Sequence, residues 1–134
     1  MKKLKETRGD FTINGVFILL LVFLLLALAI SVFGVINRSM KLHTMAAELV
    51  RYAEVRGQVD SAVYTELDRL ERVTGVNVDC TITADYIRGT SRVQFGDNIS
   101  VHLEYDTYFG VGGLLSVPIT LKTTVAGRSE LYWK

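Results

Sequence analysis

Few side chains in this sequence could do chemistry: one cysteine, Cys80, and two histidines, His43 and His102. A Cys–His nucleophilic pair needs an accessible thiol beside an imidazole. Cys80 instead alternates with Val76, Val78 and Ile82, which reads as a small hydrophobe on the inner face of a strand. The spacings from His43 to Cys80 to His102 carry no metal-ligand signature. Glu104 and Asp106 share a strand face among Tyr, Thr and Ser neighbours, which reads as an exposed strand. Gly110-Val111-Gly112-Gly113 has the look of a phosphate loop, but no Lys-Ser/Thr follows and no helix opens there. The lone cysteine cannot form an intrachain disulfide. Asn37-Arg38-Ser39 and Asn98-Ile99-Ser100 match the glycosylation pattern only as chance would. The expectation is a chain that is not an enzyme, with no catalytic, cofactor or metal site.

The elements that would position any contact are more telling. The chain of 134 residues is 49% hydrophobic with a net charge of +1. Val16 to Ile36 departs from the hydrophobic set only at Ser31 and Gly34, and no charged residue or histidine lies between Asp10 and Arg38. At ~1.5 Å per residue this run spans about 31 Å, the thickness of a bilayer core. A cleaved secretory signal ending at Ala27-Leu28-Ala29 is a competing reading, but the apolar run continues beyond it through Val35 and Ile36. A plain signal-anchor is another. Lys2, Lys3, Lys5 and Arg8 make residues 1–10 a basic cytoplasmic head, and residues 38–134 sum to −1. A near-neutral domain has no electrostatic footprint for nucleic acid. The expected topology is a single pass through the cell membrane, N-terminus cytoplasmic and the C-terminal domain extracellular.

The helical pattern does not stop at the membrane edge. Leu42, Met45, Ala46, Leu49, Val50 and Ala53 recur at three- and four-residue spacing, and Gly57 is the first stop. Asp60 or Ser61 can cap a second helix to about Thr74, with Val63, Leu67 and Leu70 on its apolar stripe. After Gly75 the period falls to two. Strands are expected over 76–83, at Val93 and Phe95, over 99–106 and from Val117 to about Glu130, with a hairpin turn at Gly96-Asp97-Asn98. Pro118 should sit at a strand start or an edge. The fold class is therefore α+β: a long N-terminal helix and a short one packed on an antiparallel sheet of about four strands. The expected divisions are 1–10 (basic head), 11–37 (transmembrane helix), 38–57 (its amphipathic continuation) and 58–134 (extracellular domain).

One connection is unusually greasy. Phe109, Val111, Leu114 and Leu115 surround the glycines where a polar loop would be ordinary. It reads either as a loop folded back on the core or as an apolar contact for another subunit or the membrane surface.

Several segments, in this order, resemble an uncharacterised family of short Gram-positive membrane proteins that occur beside Tad-type pilus and conjugative-element genes. They are the Lys-rich head, Gly9-Asp10-Phe11, Ala47-Glu48-Leu49-Val50-Arg51 with Ala53-Glu54 and Gly57, Phe109-Gly110, Pro118-Ile119-Thr120-Leu121, and the ending Gly127-Arg128-Ser129-Glu130-Leu131-Tyr132-Trp133-Lys134. Such proteins are similar to TadE-like minor pilins (pseudopilins). The resemblance implies a pilin-like, non-enzymatic subunit of a surface pilus, conjugation or secretion apparatus. Its implied partners are the lipid bilayer, other pilin-like subunits and a prepilin-type peptidase that cuts after Gly9 and leaves Asp10 first. The fifth mature position, acidic in that pattern, is Asn14 here. A neutral amide offers a hydrogen bond where a carboxylate would pair with a neighbour's amine. The alternative is a stand-alone, signal-anchored extracellular binding module.

Overall fold

The structure, a computed structural model, describes residues 3–134, with side chains described from residue 12 onward. The element order is α1 (Lys3–Arg56), α2 (Ser61–Thr74), β1 (Asp79–Ala84), β2 (Asn98–Val111) and β3 (Leu115–Arg128). The chain is α+β, and its antiparallel sheet has the order β1-β2-β3. Two compact units divide the described residues: those up to 35 with 108–117, and 36–107 with 118–134.

In the larger unit, the expected stripe of α1 is buried: Leu42, Met45, Ala46, Leu49, Val50 and Ala53. They meet Val63, Leu67 and Leu70 of α2 and the inward residues Ile99, Val101 and Leu103 of β2 in one core. Residues at three- and four-residue spacing share one helix face, while alternate residues share one sheet face, so the two patterns interlock. Val78 just before β1, Cys80 and Ile82 of β1, and Leu121 and Val125 of β3 pack at the margin. The inward face of β3 is only half-buried, and β3 is an edge strand, the kind of position that tolerates Pro118.

Both ends of α2 follow from local chemistry. Asp60 is the N-cap, its side chain accepting from the Ala62 amide at 3.1 Å. Gly75 closes the other end in the left-handed region, φ 69°, its amide bonded to Glu71 O at 2.8 Å. Gly57 ends α1 in the same way, with φ 63° and its amide bonded to Ala53 O at 2.9 Å.

The sheet departs from expectation in three places. It has three strands, not about four. Val93 makes only an isolated bridge to Tyr86, and the hairpin expected across Gly96-Asp97-Asn98 does not form. The C-terminal tail takes the backbone groups that hairpin would use. Gly96 N–H donates to Ser129 O at 2.9 Å, and Ser129 N–H to Asp97 O at 2.9 Å. β1 begins at Asp79 and not at Val76, where Glu71 Oε1 accepts from the Val78 amide at 2.8 Å and holds the chain near α2.

Candidate functional site

The dominant exposed surface is the apolar part of α1. Among the described residues, α1 supplies the one helix long and apolar enough to cross a membrane, and none of its most apolar window is buried. Residues 12–26 are all exposed. Farther along, Ala27, Leu28, Ser31, Gly34 and Val35 are partly covered, at the spacing of one helix face.

Within the smaller unit the cover comes from the tip of the β2–β3 hairpin. Ser31 Oγ approaches the carbonyl oxygen of Gly110 at 2.5 Å and that of Ala27 at 3.1 Å. The tip turns at Gly112-Gly113, with φ 49° and 83°, and closes through Leu114 N–H to Val111 O at 3.0 Å. Two successive positive φ values are the mark of a type I′ turn, whose twist matches the flanking strands. Gly110 has a different reason to be glycine: a Cβ there would fall 1.6 Å from the carbonyl oxygen of Leu115. The phosphate-loop look of this sequence is thus hairpin chemistry. Leu114 is 87% exposed and Leu115 65%, whereas Phe109 and Val111 are half-buried. The loop does not fold into the core, since none of the four belongs to the core cluster.

Cys80, His43 and His102 are not brought together as a nucleophilic pair or a metal site. Cys80 lies opposite Leu103 and Thr81 opposite His102, so Cys80 and His102 occupy opposite sheet faces. Burial, with a smaller push from Glu71, raises the Cys80 thiol to about 11, which leaves it protonated and a poor nucleophile at neutral pH. His43 instead meets Thr123 Oγ1 at 3.2 Å. On the outer sheet face Glu104 accepts from Lys122 Nζ at 2.8 Å and contacts His102 Nε2 at 2.9 Å. The Lys122 and His102 hydrogen bonds hold the Glu104 carboxyl below the usual range, so it is a weak proton acceptor in an exposed ion pair. Among the described residues no group of three or more His, Cys, Asp or Glu side chains is placed to hold a metal.

A shallow groove of about 660 Å³ runs along the outer side of α1. Ala47, Tyr52 and Val55 supply its apolar floor, and Glu48, Arg51, Arg56 and Glu66 its charged rim. Sequence reasoning did not single it out. The signal was Val55, a large apolar residue beyond the buried stripe and 56% exposed.

Of the residues implied in processing, Gly9 and Asp10 lie on the backbone of α1, but the Asp10 side chain is outside the described residues. Asn14 is exposed on the same helix.

No curated protein matches the chain, and no solved structure matches it. A family model does match, over residues 19–134, from within the apolar helix to the last residue. The chain therefore belongs to the family described as Domain of unknown function (DUF4320).

Proposed function

We propose that the chain is a membrane-anchored, non-enzymatic pilin-like subunit, of the TadE-like minor pilin kind, in a surface pilus, conjugation or secretion apparatus. One observation carries the reading: a single helix is apolar and exposed over residues 12–26 and contributes to the core of an α+β domain from Leu42 to Ala53. A helix that is greasy all round needs lipid or other helices as its solvent. In this reading the exposed part first spans the cell membrane, with the basic head in the cytoplasm and the domain outside. It then exchanges lipid for the corresponding helices of neighbouring subunits, and the sheet domain sets which neighbours fit. A prepilin-type peptidase would cut after Gly9, with Asn14 at the position where related pilins carry an acid. No step requires a bound cofactor.

Two measurements on protein extracted from native membranes test this. Mass spectrometry should find an N-terminus at Asp10. A cysteine at Leu25, 57% exposed on the helix, should crosslink to the helices of other subunits when the whole gene set is expressed. Monomer alone under those conditions overturns assembly. It would favour the second reading, a signal-anchored extracellular binding module with the loop of Phe109, Val111, Leu114 and Leu115 as its contact. An N-terminus at Ile30 would remove the anchor and overturn both.

A further inference from the structure

The anchoring reading treats α1 as the only part of the chain in lipid. The hairpin tip has the properties of a second part. No charged residue or histidine lies between Asp106 and Lys122, a run long enough to cover the end of β2, the turn and the start of β3. Tyr108 is 70% exposed, Leu114 87%, Leu115 65% and Val117 54%. A β-hairpin tip in water is normally polar, and an apolar one marks an interaction surface.

What covers it follows from where it is held. The Ser31–Gly110 contact places the tip beside the apolar helix, within the same compact unit. Ser31 lies five positions before Ile36, the end of the apolar run. At ~1.5 Å per residue the Ser31–Gly110 contact sits about 7.5 Å inside that end. This is the depth, roughly 5–10 Å, at which monotopic elements rest at the boundary of headgroups and acyl chains. Whatever solvates α1 at Ser31 also bathes the tip.

We infer that residues 108–117 form a second membrane-contacting element, seated in the leaflet on the domain side with bilayer lipid as its occupant. The inference rests on the reading that α1 crosses the membrane. The chemistry of the tip suits that depth. Its turn closes its own backbone bond, Leu114 N–H to Val111 O, and the Gly110 carbonyl receives the Ser31 hydroxyl. Unpaired backbone in hydrocarbon is costly, so such a tip stops at the boundary and does not cross. Tyr108 supplies an amphipathic ring of the kind enriched there.

The test uses the full chain, with Cys80→Ala to remove the native thiol, reconstituted into phosphatidylcholine vesicles. Single cysteines at Leu114, Leu24 and Arg88 carry an environment-sensitive fluorophore. Quenching is read from bromines on the acyl chains and from iodide in the water. The expected result is that position 114 behaves like position 24: quenched by brominated lipid, with iodide quenching several-fold weaker than at position 88. If position 114 is open to iodide while position 24 is shielded, the helix is anchored and the tip is not in lipid, which overturns the inference alone. If position 114 is shielded from both quenchers, a protein contact covers it, and the inference fails in favour of another subunit. If position 24 is itself open to iodide, the anchor reading fails and the inference falls with it.

Discussion

Trp133 Nε1 donates to the carbonyl oxygen of Gly57 at 3.0 Å, so the penultimate residue of the chain closes on the residue that ends α1. The clasp is broader than one bond. Gln94 bonds the Trp133 amide at 2.9 Å and its carbonyl at 3.2 Å, and the Arg92 guanidinium stacks 4.4 Å over the indole. Gly57 O also accepts from the Val93 amide, so it is not orphaned when the indole is lost. Trp133→Phe should therefore cost only about 1 kcal/mol, the net worth of one hydrogen bond. Trp133→Ala removes the ring and the cation–π contact as well, and should cost about 2–3 kcal/mol. Thermal unfolding of the full chain in detergent, followed by far-UV circular dichroism, measures both. Equal losses for the two variants would mean that the ring contributes nothing beyond its N–H.

Gly57 and Gly75 form a matched pair for the next prediction. Both stand in the left-handed region, at φ 63° and 69°. A side chain there costs roughly 1–2 kcal/mol on backbone grounds alone. At Gly75 a Cβ meets open space. At Gly57 it would fall 2.6 Å from Leu131 Cβ and 3.1 Å from Trp133 Nε1. Gly57→Ala should therefore cost the backbone penalty and also displace the tail, while Gly75→Ala costs the penalty alone. The separating measurement is hydrogen exchange at the Gly96 and Ser129 amides, which bond across the tail. Exchange should accelerate in Gly57→Ala and stay near the parent rate in Gly75→Ala.

The helices were legible because their evidence is local. The stripe from Leu42 to Ala53, the caps at Asp60 and Gly75 and the stop at Gly57 all follow from spacing within a few residues. The strands were legible as faces but not as partners. The inward set Ile119, Leu121, Thr123 and Val125 was readable from alternation, yet alternation does not say which strand lies beside which. Gly96-Asp97-Asn98 and Gly112-Gly113 both signal turns, and only the second closes a hairpin between named strands. The difference lies in Ser129, more than 30 positions beyond the first turn in sequence, whose backbone captures Gly96 and Asp97. The Ser31–Gly110 contact at the apolar tip is as non-local, 79 positions apart, and no period in the sequence encodes it.

The division of labour along α1 gives a paired test. Leu49 is fully buried in the domain core, and Leu25 is 57% exposed on the apolar part of the helix. Leu49→Ala should destabilise the domain by about 3 kcal/mol, the usual cost of a buried leucine truncated to a cavity. Leu25→Ala should leave domain unfolding unchanged and weaken membrane insertion only by a few tenths of a kcal/mol, because the span has apolar residues in excess. Urea denaturation in detergent reads the first effect, and alkaline extraction from membranes reads the second. A large loss of domain stability in Leu25→Ala would show that the two stretches of the helix do not act separately.

Asp60 makes acid stability testable with a worked sign. Burial pushes its carboxyl pKa up, but the Arg56 hydrogen bond and charge and the amides of Ala62 and Val63 outweigh this, so the folded value lies below the usual one. The Arg56 Nη2 contact is 3.0 Å, and Gln58 Nε2 adds a further bond at 2.6 Å. A depressed folded pKa gives stability that is present above the unfolded value of ~3.9 and is lost as pH falls through the folded one. Asp60→Asn keeps a good N-cap but removes the charge. It should melt below the parent at neutral pH, and the gap should narrow as the pH is lowered past ~4. Glu66 and Glu104 are depressed too, by Arg69 and by Lys122 with His102, and titrate alike in both proteins, so the narrowing isolates Asp60. Asp60→Ala should add the loss of the cap, about 1 kcal/mol at every pH. Melting curves of parent and Asp60→Asn that stay parallel from neutral pH down to ~3 would show that the ion pair with Arg56 contributes nothing to folding.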